Sequence, residues 1–555
     1  EFSTNLNGRV GNVTAVAGTV VTTDIPKPSS VGSLATARLA AVYHIATPYT
    51  SSEVAEIRFV ADLNDIYLFH GNHTTRKLTR YSATDWRLVE IDFVDGPYDN
   101  INETTTRLAA TSNGQATPVM TANNVPAGYV VTPSTEAVGF EGFKAFDQSP
   151  DNYWESTIDQ VATLQFTFPA GVIVDGYSLV VARNNADTTY SAIDYAPGTW
   201  TFEGNNGSGW VVLDSKIGYV GYANFRSQYF RIKNDVAYTD YRLNVKQVTR
   251  NGPLHVRLAE LNMTSRSTAV VTINATSMVG INGDNGFAAS DIGRLLRFQC
   301  DDGMWRSLKI VSAPSAVQIT AEVLYDSLTG SNVTTEWRLG LFSQRTGYPT
   351  CGTFFEDRLC MGGVASYPDW LVCSVTGKYT TIQQTDPDGT VSDDNGLVVR
   401  VKARRLGRIQ WISSDNRSLL LGTGSGEWQV SSADLQAALT ARTAKARRIS
   451  ARGSAGVEPP LIDRQLLYVQ RGGRTLREMS YSFDVDGYRT PSLSLLASRL
   501  GISNFKQLVF ASEPHSIAWV RCEDGSLHGF TYNREENVTC WHQHNVGGFV
   551  EALAV

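Results

Sequence analysis

Residues 409–430 read IQWISSDNRSLLLGTGSGEWQV. An apolar run is followed by a tight polar turn, a second apolar run, a Gly-Ser-Gly turn and a third run that carries Trp428. Short stretches of Val, Ile, Leu and Trp set between Gly, Asn and Asp mark antiparallel strands. The same grammar recurs along the chain. Residues 371–379 pass through a Gly turn, residues 466–481 read LLYVQRGGRTLREMSY, and residues 517–542 read IAWVRCEDGSLHGFTYNREENVTCWH. Residues 54–93 supply an earlier copy: an apolar run around 57–69, a polar turn at Gly71-Asn72-His73, then Lys77-Leu78-Thr79-Arg80-Tyr81 and a third run to Phe93. Four-stranded sheets stacked radially produce this pattern, because such a sheet needs neighbours to bury its faces. The spacing points to a β-propeller-like body, with a sandwich as the competing arrangement.

The first copy lies about 250 residues before the rest, which implies that other units are inserted into the body. At 555 residues the chain is long enough for three to five units of roughly 100–200 residues each. Hydrophobic residues make 42% and charged residues 18%, so each unit can build a core. The whole chain reads as all-β and multidomain. Only residues 433–448 (ADLQAALTARTAKARR) have strong helix propensity over a full window. Their apolar residues keep no helical stripe after Leu439, so helix and extended chain are equal readings, with Arg442, Lys445, Arg447 and Arg448 on a solvated face.

No run approaches the roughly 18–20 apolar residues of a membrane helix, and the start, Glu1-Phe2-Ser3-Thr4, has no basic region leading into an apolar one. The chain begins without Met and stops within a strand-like run, so it reads as a piece of a longer polypeptide. The net charge of −6 argues against tight, non-specific nucleic-acid binding by the whole surface. The six cysteines, Cys300, Cys351, Cys360, Cys373, Cys522 and Cys540, include no C-x-x-C pair, and buried free thiols in a reducing cytosol are expected.

Residues 130–266 carry an ordered pattern: Ala145-Phe146-Asp147, Tyr153-Trp154-Glu155, Leu164-Gln165-Phe166, Ala196-Pro197-Gly198-Thr199-Trp200, Gly209-Trp210-Val211, Tyr229-Phe230-Arg231-Ile232, Tyr238 to Leu243, and Leu258-Ala259-Glu260-Leu261 as the last strand. This block resembles the galactose-binding-like (discoidin, or coagulation-factor type C) jelly roll. The resemblance implies that Trp154, Trp200 and Trp210 pack the core. It also implies that sugars are met by loops at one end, where a flat aromatic covers the sugar ring and polar groups fix its hydroxyls. The family pattern commonly has Gly after Phe-Asp; here Gln148 stands there.

The remainder carries Ile45-Ala46-Thr47-Pro48-Tyr49, Glu56 to Val60, Arg76 to Arg80, Phe287 to Arg294, Glu336-Trp337-Arg338-Leu339-Gly340, Phe355 to Gly363, Leu421 to Trp428, Val469 to Gly473 and Tyr532 to Glu536. These stretches resemble the tail nozzle (tail tubular protein B-like) family of tailed bacteriophages, over about residues 43–95 and 267–546. The role of residues 1–42 stays open. Residues 267–342 resemble the small β domain that this family shares with a ubiquitin-activating-enzyme subdomain. The resemblance implies a structural virion protein: a homohexameric ring at the end of the tail, docked to an adaptor and to tail fibres or spikes. Double-stranded DNA passes through it without tight binding, and the inserted domain is free to meet a host glycan. The expected organisation is 1–99 as an N-terminal segment and the first part of the propeller-like body, 100–129 as a connecting loop, 130–266 as the jelly roll, 267–342 as the small β domain and 343–555 as the rest of the body.

Residues 346–555 hold 22 basic and 21 acidic residues, and a balanced lining would let DNA slide. The exception is the stripe of Arg400, Lys402, Arg404, Arg405 and Arg408. It reads as a solvated edge strand, as a subunit interface or as a DNA-facing surface.

Enzyme readings are weak, and the competing class is a glycan-binding or glycan-hydrolysing propeller protein. The S-x-D-x-G-x-T-W box of sialidase propellers is missing, and Asp386-Pro387-Asp388-Gly389-Thr390-Val391 only echoes it. Asp393-Asp394 and Glu535-Glu536 are sequence neighbours, which point to opposite faces of a strand and cannot flank one glycosidic bond. His542-Gln543-His544 is an i,i+2 pair able to bind a metal from one strand face, without a third ligand nearby in sequence. Gly422-Thr423-Gly424-Ser425-Gly426 has no Lys to reach a phosphate and reads as a β-turn. No catalytic, metal or cofactor residue is assigned.

Overall fold

The computed structural model describes residues 45–111, 115–182, 189–222, 226–265, 270–300, 303–324, 328, 333–402, 407–415, 417–434, 437–497, 499 and 503–555, together with a hairpin of Val13–Ala17 and Val20–Thr23.

Five sheets have four antiparallel strands each, in simple up-and-down order. Blade 1 is Arg58–Asp62, Asp65–His70, His73–Arg80 and Trp86–Glu90. Blade 2 is Cys351–Phe355, Arg358–Gly362, Trp370–Cys373 and Leu397–Arg400. Blade 3 is Ile409–Ser414, Leu419–Thr423, Gly426–Ser432 and Ala444–Ser450. Blade 4 is Leu461–Ile462, Gln465–Val469, Leu476–Ser482 and Gly487–Arg489. Blade 5 is Phe505–Ala511, Ile517–Cys522, Leu527–Asn533 and Val538–His544.

Each junction between consecutive blades has its own apolar cluster. Tyr67 and Phe69 of blade 1 meet Leu359, Met361, Trp370 and Val372 of blade 2. Cys351, Leu371 and Leu397 meet Ile409, Leu419, Trp428 and Val430. Trp411 and Leu420 meet Leu466, Tyr468 and Met479, and Leu467, Val469 and Leu476 meet Phe505, Leu508, Val520 and Phe530. The Arg58 guanidinium of blade 1 donates to the carbonyl of Gly456, ahead of blade 4, and pairs with Glu458 at 3.9 Å.

Between blades 1 and 2 the chain builds two further units, one nested inside the other. A seven-stranded antiparallel sheet runs in the order Val333–Thr334, Leu108–Ala110, Val270–Ala275, Gln318–Val323, Trp305–Ser315, Leu295–Gln299, Trp337–Leu339. Its two edge strands are joined by only Thr335 and Glu336, so the sheet curls into a nearly closed barrel. Residues 108–110, expected within a connecting loop, are one of its strands, and Leu108 is fully buried in its core.

Inside this barrel's sequence sits the jelly roll. Val211–Lys216, Pro197–Asn205, Tyr238–Val248, Ala162–Val172 and Val130–Pro133 form a five-stranded sheet, which faces Ser227–Arg231, Val174–Val180 and Glu260–Ser265. Trp154, Phe166, Trp200, Phe202 and Tyr241 fill the space between the sheets and are buried. A pair of His255–Leu258 with Trp154–Asp159 closes one side.

Two further expectations change. Residues 433–448 hold no helix among the described residues: after a turn, Ala444–Ser450 is the last strand of blade 3. Ala444 and Ala446 pack on the core beside Trp428, while Lys445, Arg447 and Arg448 face solvent, so tertiary packing overrides helix propensity. The cysteines are not all free: Cys360 and Cys373 are directly opposed on neighbouring strands and form a disulfide. Cys300, Cys351 and Cys522 are buried thiols, and Cys540 is exposed. Among the described residues, no helix is long and apolar enough to cross a membrane.

Phe69 is the test of whether blade 1 and blade 2 fold as one body. It is fully buried, and a Cβ placed on Gly352 of blade 2 would overlap its ring. Phe69→Ala is expected to destabilise the body by about 3–5 kcal/mol in urea unfolding. A change below ~1 kcal/mol would mean that the two blades are energetically separate.

Candidate functional site

Strand alternation divides the five-stranded sheet of the jelly roll into two chemistries. Leu164, Phe166, Trp200, Phe202, Tyr241 and Leu243 point into the core. The residues between them point outward and line up across three strands: Thr167 opposite Asp240 opposite Asn205, Gln165 opposite Arg242 opposite Glu203, and Thr163 opposite Asn244 opposite Thr201.

This outer face is a connected polar network. Arg242 holds the Glu203 Oε2 through Nε at 2.7 Å and a terminal nitrogen at 2.6 Å. Asn244 donates to the other Glu203 oxygen at 3.1 Å, and Thr201 donates to the same atom. Asp240 accepts from Gln165 at 3.1 Å and Thr167 at 2.6 Å. Glu203 is 5% exposed; burial pushes its carboxyl up, but the bonds from Thr201, Asn244 and Arg242 outweigh burial and hold it below the usual range. It is a fixed acceptor rather than a proton donor.

Trp210 lies over this network, 4.0 Å from the Arg242 guanidinium to the ring centroid. The Asn205 side chain accepts from the amides of Gly207 at 2.8 Å and Gly209 at 3.1 Å, and both glycines take positive φ. That turn returns the chain so that the indole lies on the sheet. Trp154 and Trp200 are core residues, as expected, whereas Trp210 is half-buried and outside the core. A flat aromatic beside fixed donors and acceptors is a chemistry that suits a polyol ring.

A second pair of groups could hold a cation. Glu260 is 4% exposed, and its carboxylate lies against the Asp147 carboxyl and the backbone of Gln148 and Ser149. Asp147 lies beside it, oriented by the amide of Ser149 at 2.9 Å and by Asn152 at 2.7 Å. Gln148, where the family pattern has Gly, takes φ +58°. A buried carboxylate beside a half-buried one, with only oxygen donors, suits a hard divalent ion such as Ca²⁺. The motif Ala145-Phe146-Asp147 was visible in sequence, but its link to Glu260 was not.

The other sequence candidates are engaged elsewhere. Arg400 covers the Trp370 ring at 3.9 Å and donates to Asn100 at 2.6 Å, and Arg408 donates to the Gly363 carbonyl at 2.8 Å. Lys402 is exposed, and Arg404 and Arg405 lie outside the described residues. The sialidase echo is a docking loop: Asp386 accepts from Ser392 and Asn395, Asp388 pairs with Arg226 at 2.5 Å, and the Pro387 carbonyl accepts from the Trp305 amide at 2.6 Å. The Asp393 and Asp394 carbonyls accept from Arg358. Gly424-Ser425 is the turn of a hairpin. His542 and His544 touch each other at 2.6 Å, and no third ligand joins them among the described residues. Glu535 and Glu536 lie on an exposed turn.

Calcium is expected to raise the melting temperature of the wild-type chain and to leave Glu260→Gln unchanged, as read by differential scanning fluorimetry. Burial, and then the Asp147 charge, push the Glu260 carboxyl well above its usual range. In chelator the folded chain therefore binds a proton that the unfolded chain releases, and this contribution to stability falls as pH rises from about 4.5. Glu260→Gln in chelator should then exceed wild type at neutral pH, with the gap closing toward acid.

No family profile and no curated protein matches the sequence. Solved structures similar to this chain include carbohydrate-binding and F5/8 type C modules, a likeness confined to the jelly roll. The family 32 carbohydrate-binding module of Clostridium perfringens NanJ, solved with galactose, is 10% identical, and the match covers 28% of this chain and 98% of that one with a TM-score of 0.21. The CBM32-3 module of a Clostridium perfringens family 31 glycoside hydrolase is 12% identical over 24% of this chain and 88% of that one, TM-score 0.21. The F5/8 type C domain of a Bacteroides fragilis protein is 13% identical over 25% and 91%, TM-score 0.21.

Proposed function

We propose that this chain is a non-catalytic glycan-binding protein, in which the propeller-like body and barrel carry the jelly roll and the Trp210 face takes the sugar. The observation that carries the reading is Trp210 stacked on Arg242, above a row of outward polar side chains whose geometry is fixed by strands.

A second reading rests on a different observation. Blade 1 packs on blade 2 across the inserted barrel and jelly roll, so stretches far apart in sequence share one body. This supports a tail nozzle subunit whose copies form a homohexameric ring around passing DNA, with the jelly roll offered to a host glycan. Electron microscopy of particles containing the full-length protein separates the readings. A ring around a channel supports the second reading, and a detached monomer removes it while leaving sugar binding intact.

On a glycan array, the full chain is expected to bind, and Trp210→Ala to lose at least about tenfold in affinity, ~1.4 kcal/mol. Its circular dichroism should match wild type, since Trp210 is outside the core. Wild type that binds no glycan would remove the first reading.

A further inference from the structure

Blade 1 turns between its second and third strands at His70-Gly71-Asn72-His73, and His70 and His73 are directly opposed in the ladder. The two-residue turn places both imidazoles on one face, with ring centroids 5.1 Å apart. The lead-in to the blade, residues 49–57, folds over them. Its Glu53 carboxylate is 3.1 Å from the His73 Nε2, and its Glu56 carboxylate is 3.7 Å from the His70 Nε2. Tyr49 packs edge-on against both rings, at 5.9 Å and 5.0 Å.

The donors are poised but not consumed. His70 is 3% exposed, and among the described residues its Nε2 has no hydrogen-bond partner, while the His73 Nε2 faces the Glu53 carboxylate. Glu53 is already oriented, because its Oε2 accepts from the Thr50 amide and hydroxyl, each at 2.9 Å. Such outer contacts fix the direction of a ligand before the ion arrives. One donor atom each from Glu53, His70 and His73 lies within 4.8 Å of the others, and among the described residues no other set of three His, Cys, Asp or Glu does so.

We propose that Glu53, His70 and His73, with water in the fourth position, bind a zinc-class divalent ion that pins the lead-in segment to blade 1. Two neutral imidazoles and one carboxylate are mixed nitrogen and oxygen donors, which favour Zn²⁺ or Co²⁺ over Ca²⁺. An ion about 2.0–2.2 Å from each donor draws the His70 side inward by roughly an ångström. The long contact of the Asn72 amide with the His70 Nδ1, 3.4 Å, is the interaction that a metal-bound tautomer gives up.

The site has a structural consequence. The same turn is tied to the start of blade 2 by the Tyr348 amide, which donates to the Gly71 carbonyl at 3.0 Å. An ion there would fasten the lead-in segment, blade 1 and the approach to blade 2 at one point.

Titration of the full chain with Co²⁺ tests the site, because a four-coordinate nitrogen and oxygen set gives a visible ligand-field band. Wild type is expected to show that band saturating at one equivalent, and Zn²⁺ to quench it and raise the melting temperature. His73→Ala and Glu53→Gln should each weaken binding by on the order of 100-fold with unchanged circular dichroism. The double change His542→Ala with His544→Ala should leave the band intact. No saturable band in wild type, a band that survives both His73→Ala and Glu53→Gln, or a band lost only with His542 and His544 would overturn the proposal.

Discussion

A four-stranded sheet has two faces and no interior of its own. Every blade here therefore depends on the next, and blade 1 can bury Tyr67 and Phe69 only by reaching Leu359, Met361 and Trp370, far along the chain. That requirement brings the two ends of the insertion back together. The Leu341 amide donates to the Pro97 carbonyl at 2.9 Å, and Val94 donates to Thr380 at 3.1 Å. The barrel is then fixed by Arg297, which is 1% exposed and donates to the Thr385 hydroxyl at 2.7 Å and to the Thr385 and Asp386 carbonyls at 2.8 and 3.1 Å. A buried guanidinium satisfied largely by carbonyls holds orientation more than it adds stability.

Within the jelly roll the same strands serve core and surface. Trp200 and Phe202 enter the core while Thr201 and Glu203 face out, and Tyr241 enters while Arg242 faces out. A one-residue slip would exchange the two sets, so the packing of the core also sets the register of the polar face. That coupling lets the core fix the geometry of the polar face.

Much of the architecture was legible because strand grammar is local. Residues 409–430 and 466–481 announce their turns through Gly, Asn and Asp, and the structure forms hairpins there. What was not legible depends on contacts distant in sequence. Leu108 is too short a signal to show that it pairs with residues 273–275. The alanines at 444 and 446 suit a helix until Trp428 supplies a surface for them. Cys360 and Cys373 are separated by 13 residues, and only the strand register makes them opposite. The Trp210 face was half visible: the alternation in residues 200–205 marks outward positions, but its partners come from 163–167 and 240–244. Histidines flanking a two-residue turn carried a signal that could have been read, since a hairpin must place them opposite each other.

The polar face also constrains how strongly it can bind. Glu203 and Asp240 already accept bonds from Arg242, Asn244, Gln165 and Thr167, so a sugar hydroxyl exchanges with existing partners and does not fill empty ones. Net gain from such exchange is small, roughly 0.5–1.5 kcal/mol per bond, and the indole supplies most of the remainder. Single-site affinity is accordingly weak under the proposed reading. Weak sites become effective when several are held on one rigid frame, because each later contact is then intramolecular. A glycan face of this kind is best suited to a chain that acts in copies. Were both proposals to hold, the jelly roll would provide a weak contact and an assembled body the multiplicity for it.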